Sequence, residues 1–140
     1  MKLRISIALL LCLPAWSGYA RTAGATEKAP SVIMAFYTDF CKLIGGEGPV
    51  SEAEAALFGK FLTPGLIAEV RRIREENFYD PIIRAQDFDE KSLPTLTVTH
   101  VHGDWYAVSY YAPYDRKCVV IPVKAAEIDG RVRISDIAIQ

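Results

Sequence analysis

The fold is decided by the stretch from Thr95 to Ile139, TLTVTHVHGDWYAVSYYAPYDRKCVVIPVKAAEIDGRVRISDIAI. Within it, β-branched and aromatic residues alternate with polar ones in four runs, which is the pattern of half-buried strands. The runs are Thr95 to Val101, Trp105 to Ala112, Lys117 to Ala125 and Arg131 to Ile139. Short turn sequences separate them, so the stretch predicts four antiparallel strands in a row. Pro122 lies inside the third run and predicts an edge position or a bulge, because proline cannot donate to a ladder.

Helical patterns precede the strands. Apolar residues recur at steps of three and four after Ser31, a plausible N-cap, and stop at Gly45-Gly46. Ser51 and Glu54 fit a capping box for a second helix, and Thr63-Pro64 fits the start of a third that runs to about Asn77. The charged residues Arg71, Arg72, Arg74, Glu75 and Glu76 are expected on its solvated face. Residues 78–93 show no period and are expected to form an ordered connector with about one helical turn.

Helices followed by four short strands predict an α+β fold, with the helices packed on one face of a curved antiparallel meander. The expected inward-facing residues of that meander are apolar. They are Val98, Trp105, Val108, Tyr110, Val119, Ile121, Val132, Ile134 and Ile137.

The first twenty residues predict export. Lys2 and Arg4 precede an apolar run of signal-peptide length, and Gly18-Tyr19-Ala20 fits a signal-peptidase site, with a second at Ala23-Gly24-Ala25. We therefore expect a signal peptide over residues 1–20 (or to 25), a flexible lead-in over 21–30 and one domain over 31–140. The expected location is the periplasm or the medium.

Charge and hydropathy limit the partners. The formal net charge is −1, and loss of Lys2 and Arg4 with the leader would bring it to −3. Such a chain lacks the basic stripe that a nucleic-acid surface needs. No second apolar run is long enough for a membrane span, so a soluble protein is expected.

Cys41 and Cys118 would remain after leader removal, and paired thiols oxidise in an oxidising compartment. A disulfide between them would stabilise the fold by about 4 kcal/mol in the chain-entropy model. The alternative is two free thiols packed as small hydrophobic groups.

The first candidate site is in the connector. Tyr79, Asp80, Gln86 and Asp87 belong to a segment expected to cross the mouth of the curved sheet, where ligands commonly bind. Equally, Asp80 before Pro81 and Asp87 can fix the loop itself through backbone hydrogen bonds.

The second candidate site is aromatic. The second strand and the turn after it are dense in tyrosine and are followed by Arg116 and Lys117, a composition typical of protein-binding patches. Its candidate binding residues are Tyr106, Tyr110, Tyr111 and Arg116. Ordinary cross-strand pairing is the alternative interpretation.

The sequence contains no residue pattern that is typical of a catalytic or metal-binding site. His100 and His102 with Asp104 could in principle hold zinc, and Asp87, Asp89 and Glu90 could hold calcium, but neither matches an established ligand pattern. A Cys41–His100 nucleophile pair would place the thiol on an apolar helix, where its reactivity is low. We expect no enzyme activity, no metal and no cofactor.

Several segments together resemble a family of secreted bacterial domains known as domain of unknown function 3828. They are Ala35-Phe36-Tyr37, Phe61-Leu62-Thr63-Pro64-Gly65-Leu66, Phe78-Tyr79-Asp80-Pro81, Ala85-Gln86-Asp87 and the last strand from Arg131 to Ile137. The resemblance spans about Val32 to Ile139 and implies a nuclear-transport-factor-2-like, or cystatin-like, architecture and a secreted location. It implies no reaction.

These observations predict a small periplasmic protein, monomeric or homodimeric, that works by binding another protein. One specific hypothesis is an immunity protein that blocks a cell-wall-degrading effector. The alternatives are a small-ligand carrier that uses a pocket between the first helix and the sheet, and an unrecognised enzyme.

Overall fold

A computed structural model describes residues 23–139. Three α-helices come first, then a short 3-10 helix and four strands. The helices are α1 (Ala23–Gly45), α2 (Ser51–Phe61) and α3 (Pro64–Glu76), and the 3-10 helix is Glu90–Thr95. The strands are β1 (Thr97–His102), β2 (Trp105–Ala112), β3 (Lys117–Ile128) and β4 (Arg131–Ile137).

The sheet is an open antiparallel meander with the strand order β1-β2-β3-β4. The predicted α+β fold is therefore confirmed. The turn after β1 and the turn after β3 lie at one end of the sheet, and the turn after β2 lies at the other end, because adjacent strands alternate in direction. The second end is where the connector crosses.

Aromatic rings fill the space between the helices and the sheet. Phe36 stacks on Phe40 at 5.7 Å between ring centroids and contacts the rings of Tyr37, Phe58 and Phe61. Buried residues of β2, β3 and β4 complete this core from the inner face of the sheet. Trp105 is not among them, because Tyr106, Val108 and Tyr110 take the inward positions of β2 and alternation turns Trp105 outward.

Pro122 lies in a central strand, so the edge alternative of the prediction is wrong, while the irregularity in the β3–β4 ladder falls between Lys124 and Ala125, two residues further on. The absence of an N–H on proline is nevertheless accommodated at the end of a ladder. β4 ends at Ile137, which pairs with Val123, so Pro122 lies just beyond the last pair of the β3–β4 ladder. There the Ala138 N–H donates to the Pro122 carbonyl at 2.9 Å, and proline has no N–H to return. Arg84 supplies the missing donor, with Nη2 at 2.5 Å from the Ala138 carbonyl and Nη1 at 2.8 Å from the Val120 carbonyl.

Two predicted helix starts are wrong. The lead-in is helical from Ala23, and Pro30 lies inside α1, because the buried Ala29 and Ile33 hold this part of the helix against the core. Ser51 is the first helical residue rather than the cap, Val50 takes the cap position without a side-chain bond, and Glu54 pairs with Arg74 instead. Thr63 does cap α3 as predicted, with its hydroxyl accepting the Leu66 N–H.

The structure does not join the two cysteines of the predicted disulfide: Cys41 and Cys118 are both free and lie on opposite sides of the sheet. Cys41 is buried on α1 within the core, which also contains Val119 of β3. Since neighbouring strand residues point to opposite faces, Cys118 points to the outer face of the sheet, where it is exposed.

The predicted signal peptide, residues 1–20, lies outside the described residues. None of the helices within residues 23–139 combines the length and the apolar character that crossing a bilayer requires.

Candidate functional site

The connector, residues 77–89, is a folded loop anchored to the core. Asp80 starts a tight turn, since its Oδ1 accepts the Ile82 N–H at 2.8 Å and its own N–H donates to the Ala85 carbonyl at 3.0 Å. Ile82 and Ile83 are fully buried, and the Tyr110 hydroxyl donates to the Ile83 carbonyl at 2.6 Å. The connector is thus fixed across the end of the sheet, in the position that the sequence predicts.

Arg74 ties the connector to two helices. Its Nη2 lies 2.8 Å from Oε1 of Glu54 on α2 and 2.5 Å from Oδ2 of Asp80. The guanidinium also covers the Phe58 ring. Burial raises the pKa of Asp80, and the charge of Arg74 opposes that rise. Arg74 therefore belongs to a half-buried network rather than to the solvated face predicted for it, and Asp80 holds the loop together.

Two of the cavities that border the connector are both lined by Gln86. The first, the Phe78 pocket, has a volume of about 400 Å³. It is lined by Arg74, Asn77, Phe78, Tyr79, Asp80 and Gln86. The second, the Tyr114 groove, has a volume of about 310 Å³ and lies between the connector and the turn after β2. Its polar and aromatic lining comprises Arg84, Gln86, Asp87, Asp89, Ser92, Tyr110, Tyr114, Asp115 and Lys117.

The structure brings the predicted connector residues close together, but it separates the predicted aromatic binding residues onto different surfaces. Tyr79, Asp80 and Gln86 line the Phe78 pocket, and Asp87 lines the Tyr114 groove with Gln86. Among the predicted aromatic residues, Tyr106 and Tyr110 are wrong as an exposed patch, because they point inward and are 2% and 4% exposed. Tyr110 still reaches the groove wall from inside.

Tyr111 and Arg116 lie outside both cavities. Tyr111 is on the outer face of the sheet, paired with Cys118, and is partly exposed. Arg116 occupies the turn after β2 with a φ of 50° and is exposed. These two residues do not share a surface with the core-facing tyrosines of β2.

Of the two residues that stand out most, Phe78 is not among the candidates predicted from the sequence, and Tyr114 is counted there only within the tyrosine-rich run that ends in the turn after β2. Phe78 is 95% exposed and Tyr114 is 90% exposed, although both are large aromatic residues. A signal was available, because each lies in a turn segment, beside Asn77 and Pro113 respectively, outside any strand or helix that would bury it. The role of Arg84 could not be predicted from the sequence, since it depends on where β4 ends in the folded sheet.

Behind the groove are buried polar groups. The Tyr37 hydroxyl and Arg84 Nε are both buried and have no hydrogen-bond partner within the described residues. Burial raises the pKa of Tyr37 well above its ordinary value, and nearby Cys41 and Asp80 add to the rise. Tyr37 therefore stays a neutral hydroxyl at physiological pH.

The cysteine and histidine that the sequence offered as a nucleophile pair are both engaged in the fold. Burial raises the pKa of Cys41 to about 12, so its thiol stays protonated and is a poor nucleophile. His100 Nε2 lies 2.9 Å from the Gly103 carbonyl, and its ring packs edge-on against Tyr106. Between residues 23 and 139, no three His, Cys, Asp or Glu side chains are grouped in a way that could hold a metal ion.

Comparisons with known proteins identify a relative of unknown function. The chain is similar to a crystal structure of a protein of unknown function from Bacteroides thetaiotaomicron VPI-5482, with 35% sequence identity and a TM-score of 0.74. The match covers 80% of this chain and 89% of the other. The chain belongs to the same family as this Bacteroides protein. No family model matches the sequence, and no curated protein does.

Proposed function

We propose that the protein is a small extracytoplasmic binding protein whose partner is another protein. The observation that carries the proposal is the exposure of Phe78 (95%) and Tyr114 (90%) beside two cavities that share Gln86. We call these two rings, Gln86 and the two cavities the connector surface.

Exposed aromatic rings beside concave, partly polar surfaces are typical of protein interfaces. Burying a phenylalanine side chain removes it from water and contributes about 1.5 to 3 kcal/mol, so two such rings can carry much of a binding energy. Phe78 stands on the connector, which Arg74, Asp80 and Tyr110 anchor, and Tyr114 stands on the short turn between β2 and β3. An anchored loop loses little conformational entropy on binding.

The proposed location is the periplasm, on the strength of the leader-like sequence from Met1 to Ala20. A protein of this size at this address fits an immunity protein that blocks a cell-wall-degrading effector. That version predicts a stable complex with such an enzyme and loss of its activity in the complex.

The small-ligand alternative has less support. It requires space between α1 and the sheet, where the rings of Phe36 and Phe40 stack on each other. The cavities at the connector open to the surface instead, and a protein side chain can enter them from outside.

The test is capture of partners by the protein recovered from the periplasm with a C-terminal tag, using periplasmic extract and the products of neighbouring genes. We compare the wild type with the F78A/Y114A double variant. The control is V101A/I128A, which also removes exposed apolar side chains but at the opposite end of the sheet.

A stoichiometric partner that the wild type and the control bind, and that F78A/Y114A loses, supports the proposal. A partner that all three bind equally places the interface elsewhere and contradicts it. A wild-type protein that captures nothing but copurifies with a small molecule favours the ligand carrier.

A further inference from the structure

The Tyr114 groove contains a carboxylate without a partner. Three aspartates line it: Asp87, Asp89 and Asp115. Asp89 accepts the Lys91 N–H at 2.9 Å as the cap of the 3-10 helix, and Asp115 lies 3.8 Å from Lys117. Within residues 23–139 the Asp87 side chain has no ion pair or hydrogen bond, so it is the one of the three that is free to bind a cation.

The two cations that line the groove do not neutralise Asp87. Both terminal nitrogens of Arg84 donate to main-chain carbonyls, of Val120 and Ala138, which fixes this guanidinium where the β3–β4 ladder ends. Lys117 extends into solvent with 64% of its side chain exposed, and its nearest carboxylate is Asp115. Counting the five charged side chains that line the groove, three are negative and two are positive.

An exposed aromatic ring lies in the same groove. Tyr114 is 90% exposed, so both faces of its ring are open to a ligand. A cation over the face of a tyrosine ring is attracted by the ring's electron density, and guanidinium groups do this more often than ammonium groups. A planar guanidinium can also pair with a carboxylate through two parallel N–H bonds.

We infer that the Tyr114 groove receives an arginine side chain of the protein partner, with the guanidinium paired to the Asp87 carboxylate and stacked on the Tyr114 ring. This inference rests on the proposed function and adds the chemistry that the partner presents. The volume of about 310 Å³ accommodates one such side chain with its apolar stem.

The test uses two small probes that differ in charge and hardly at all in shape. N-acetyl-arginine amide is titrated into the ¹⁵N-labelled protein and followed by NMR, and N-acetyl-citrulline amide serves as the neutral, nearly isosteric comparison. The protein variants are D87N and Y114A. The matched control is D129N, which removes an exposed carboxylate at the turn after β3, at the opposite end of the sheet.

We expect the arginine probe to shift the backbone signals of Gln86, Asp87 and Tyr114, and the citrulline probe to leave them in place. D87N and Y114A should each weaken binding about threefold, the effect of one solvent-exposed ion pair or one exposed cation–π contact, while D129N binds like the wild type. About 0.5 M NaCl should weaken the binding further, because salt screens exposed charges. Equal shifts with citrulline, or an unchanged affinity in D87N, would overturn the inference.

The outcomes separate this inference from the proposed function. If a protein partner is lost in F78A/Y114A but bound normally by D87N, the partner-binding proposal stands and the arginine site is wrong. If the arginine probe binds as expected while no protein partner is captured, the site exists and the protein-binding proposal is wrong.

Discussion

At the scale of single residues, Arg84 decides how the sheet ends. Its guanidinium donates to the carbonyls of Val120 and Ala138. The Ala138 carbonyl needs this donor because Pro122, opposite it, has no N–H. R84A should lower the free energy of unfolding by about 2 to 3 kcal/mol, because hydrogen bonds to a charged group contribute about 1.5 to 3 kcal/mol each and Arg84 is partly exposed. R84K should restore less than half of the stability that R84A loses, since a single ammonium group does not place two N–H donors on both carbonyls as the guanidinium does.

The measurement for Arg84 is urea unfolding, and the chain offers a matched control. Arg116 has nearly the same positive φ, 50° against 51° for Arg84, but it lies exposed in a turn. R116A carries the same change in side chain at the same positive φ, so it should alter stability by less than about 0.5 kcal/mol. Equal losses in R84A and R116A would mean that the backbone conformation, not the two hydrogen bonds, explains the effect.

The two cysteines should react with thiol reagents at very different rates. Cys118 is exposed and should label in the native protein, while Cys41 is buried, with a pKa raised to about 12, and should label only in urea. Peptide mapping after labelling locates the reacted thiol, and C118S should label at neither position before unfolding. Recovery of a Cys41–Cys118 disulfide from the periplasmic protein would contradict the placement of the two thiols on opposite sides of the sheet.

The Cys41 thiol also predicts a loss of stability at alkaline pH. Burial raises its pKa from the ordinary value of 9.0 to about 12, so the folded state holds the proton more tightly than the unfolded state. Its contribution is complete below pH 9.0 and is lost as the pH rises toward about 12, by at most about 1.4 kcal/mol per pH unit. Urea midpoints measured across this window should fall more steeply for the wild type than for C41A. Parallel curves would show that the thiol does not contribute.

At the scale of elements, Arg74 joins α2, α3 and the connector. Replacing it with leucine keeps an apolar stem over Phe58 and leaves Glu54 and Asp80 without their cation. R74L should therefore lower the free energy of unfolding by about 2 to 3 kcal/mol, somewhat less than for a fully buried pair. The control is R72A on the same helix, where Arg72 bridges Glu69 and Glu76 on the exposed surface, so its loss should change stability far less than R74L does.

The element boundaries show what a sequence pattern can predict. β2 matches its predicted bounds, because alternation inside a strand and the turn residues on either side act locally. Pro122, Glu54 and Arg74 were misplaced for one reason: their positions depend on a neighbour distant in sequence, namely the end of β4 for Pro122 and the approach of α2 to α3 for the ion pair. The start of α1 was wrong because the buried Ala29 extends the helix beyond the apolar period.

At the scale of the whole molecule, the fold was more predictable than the site. Buried residues recur with the helical period of about 3.6 and the strand period of 2, so the inner faces of the helices and strands can be predicted from the spacing of apolar residues alone. The connector surface instead arises where a loop, a turn and a strand end meet, and its prominent residues, Phe78 and Tyr114, belong to no period. The sequence therefore predicted Gln86 and Asp87 as loop residues and could not predict that they would share cavities with these two rings.

Two phenylalanines should separate folding from binding across the molecule. Phe36 is fully buried in the centre of the aromatic core and Phe78 is 95% exposed, so the same substitution tests opposite roles. F36A should lower the free energy of unfolding by about 3 to 5 kcal/mol, through lost burial and the cavity left behind. F78A should change stability by less than about 0.5 kcal/mol and still weaken capture of the protein partner. Urea unfolding and quantitative capture on both variants check this division. A large loss of stability in F78A would show that its ring supports the connector, and the interface assigned to it would then have to be abandoned.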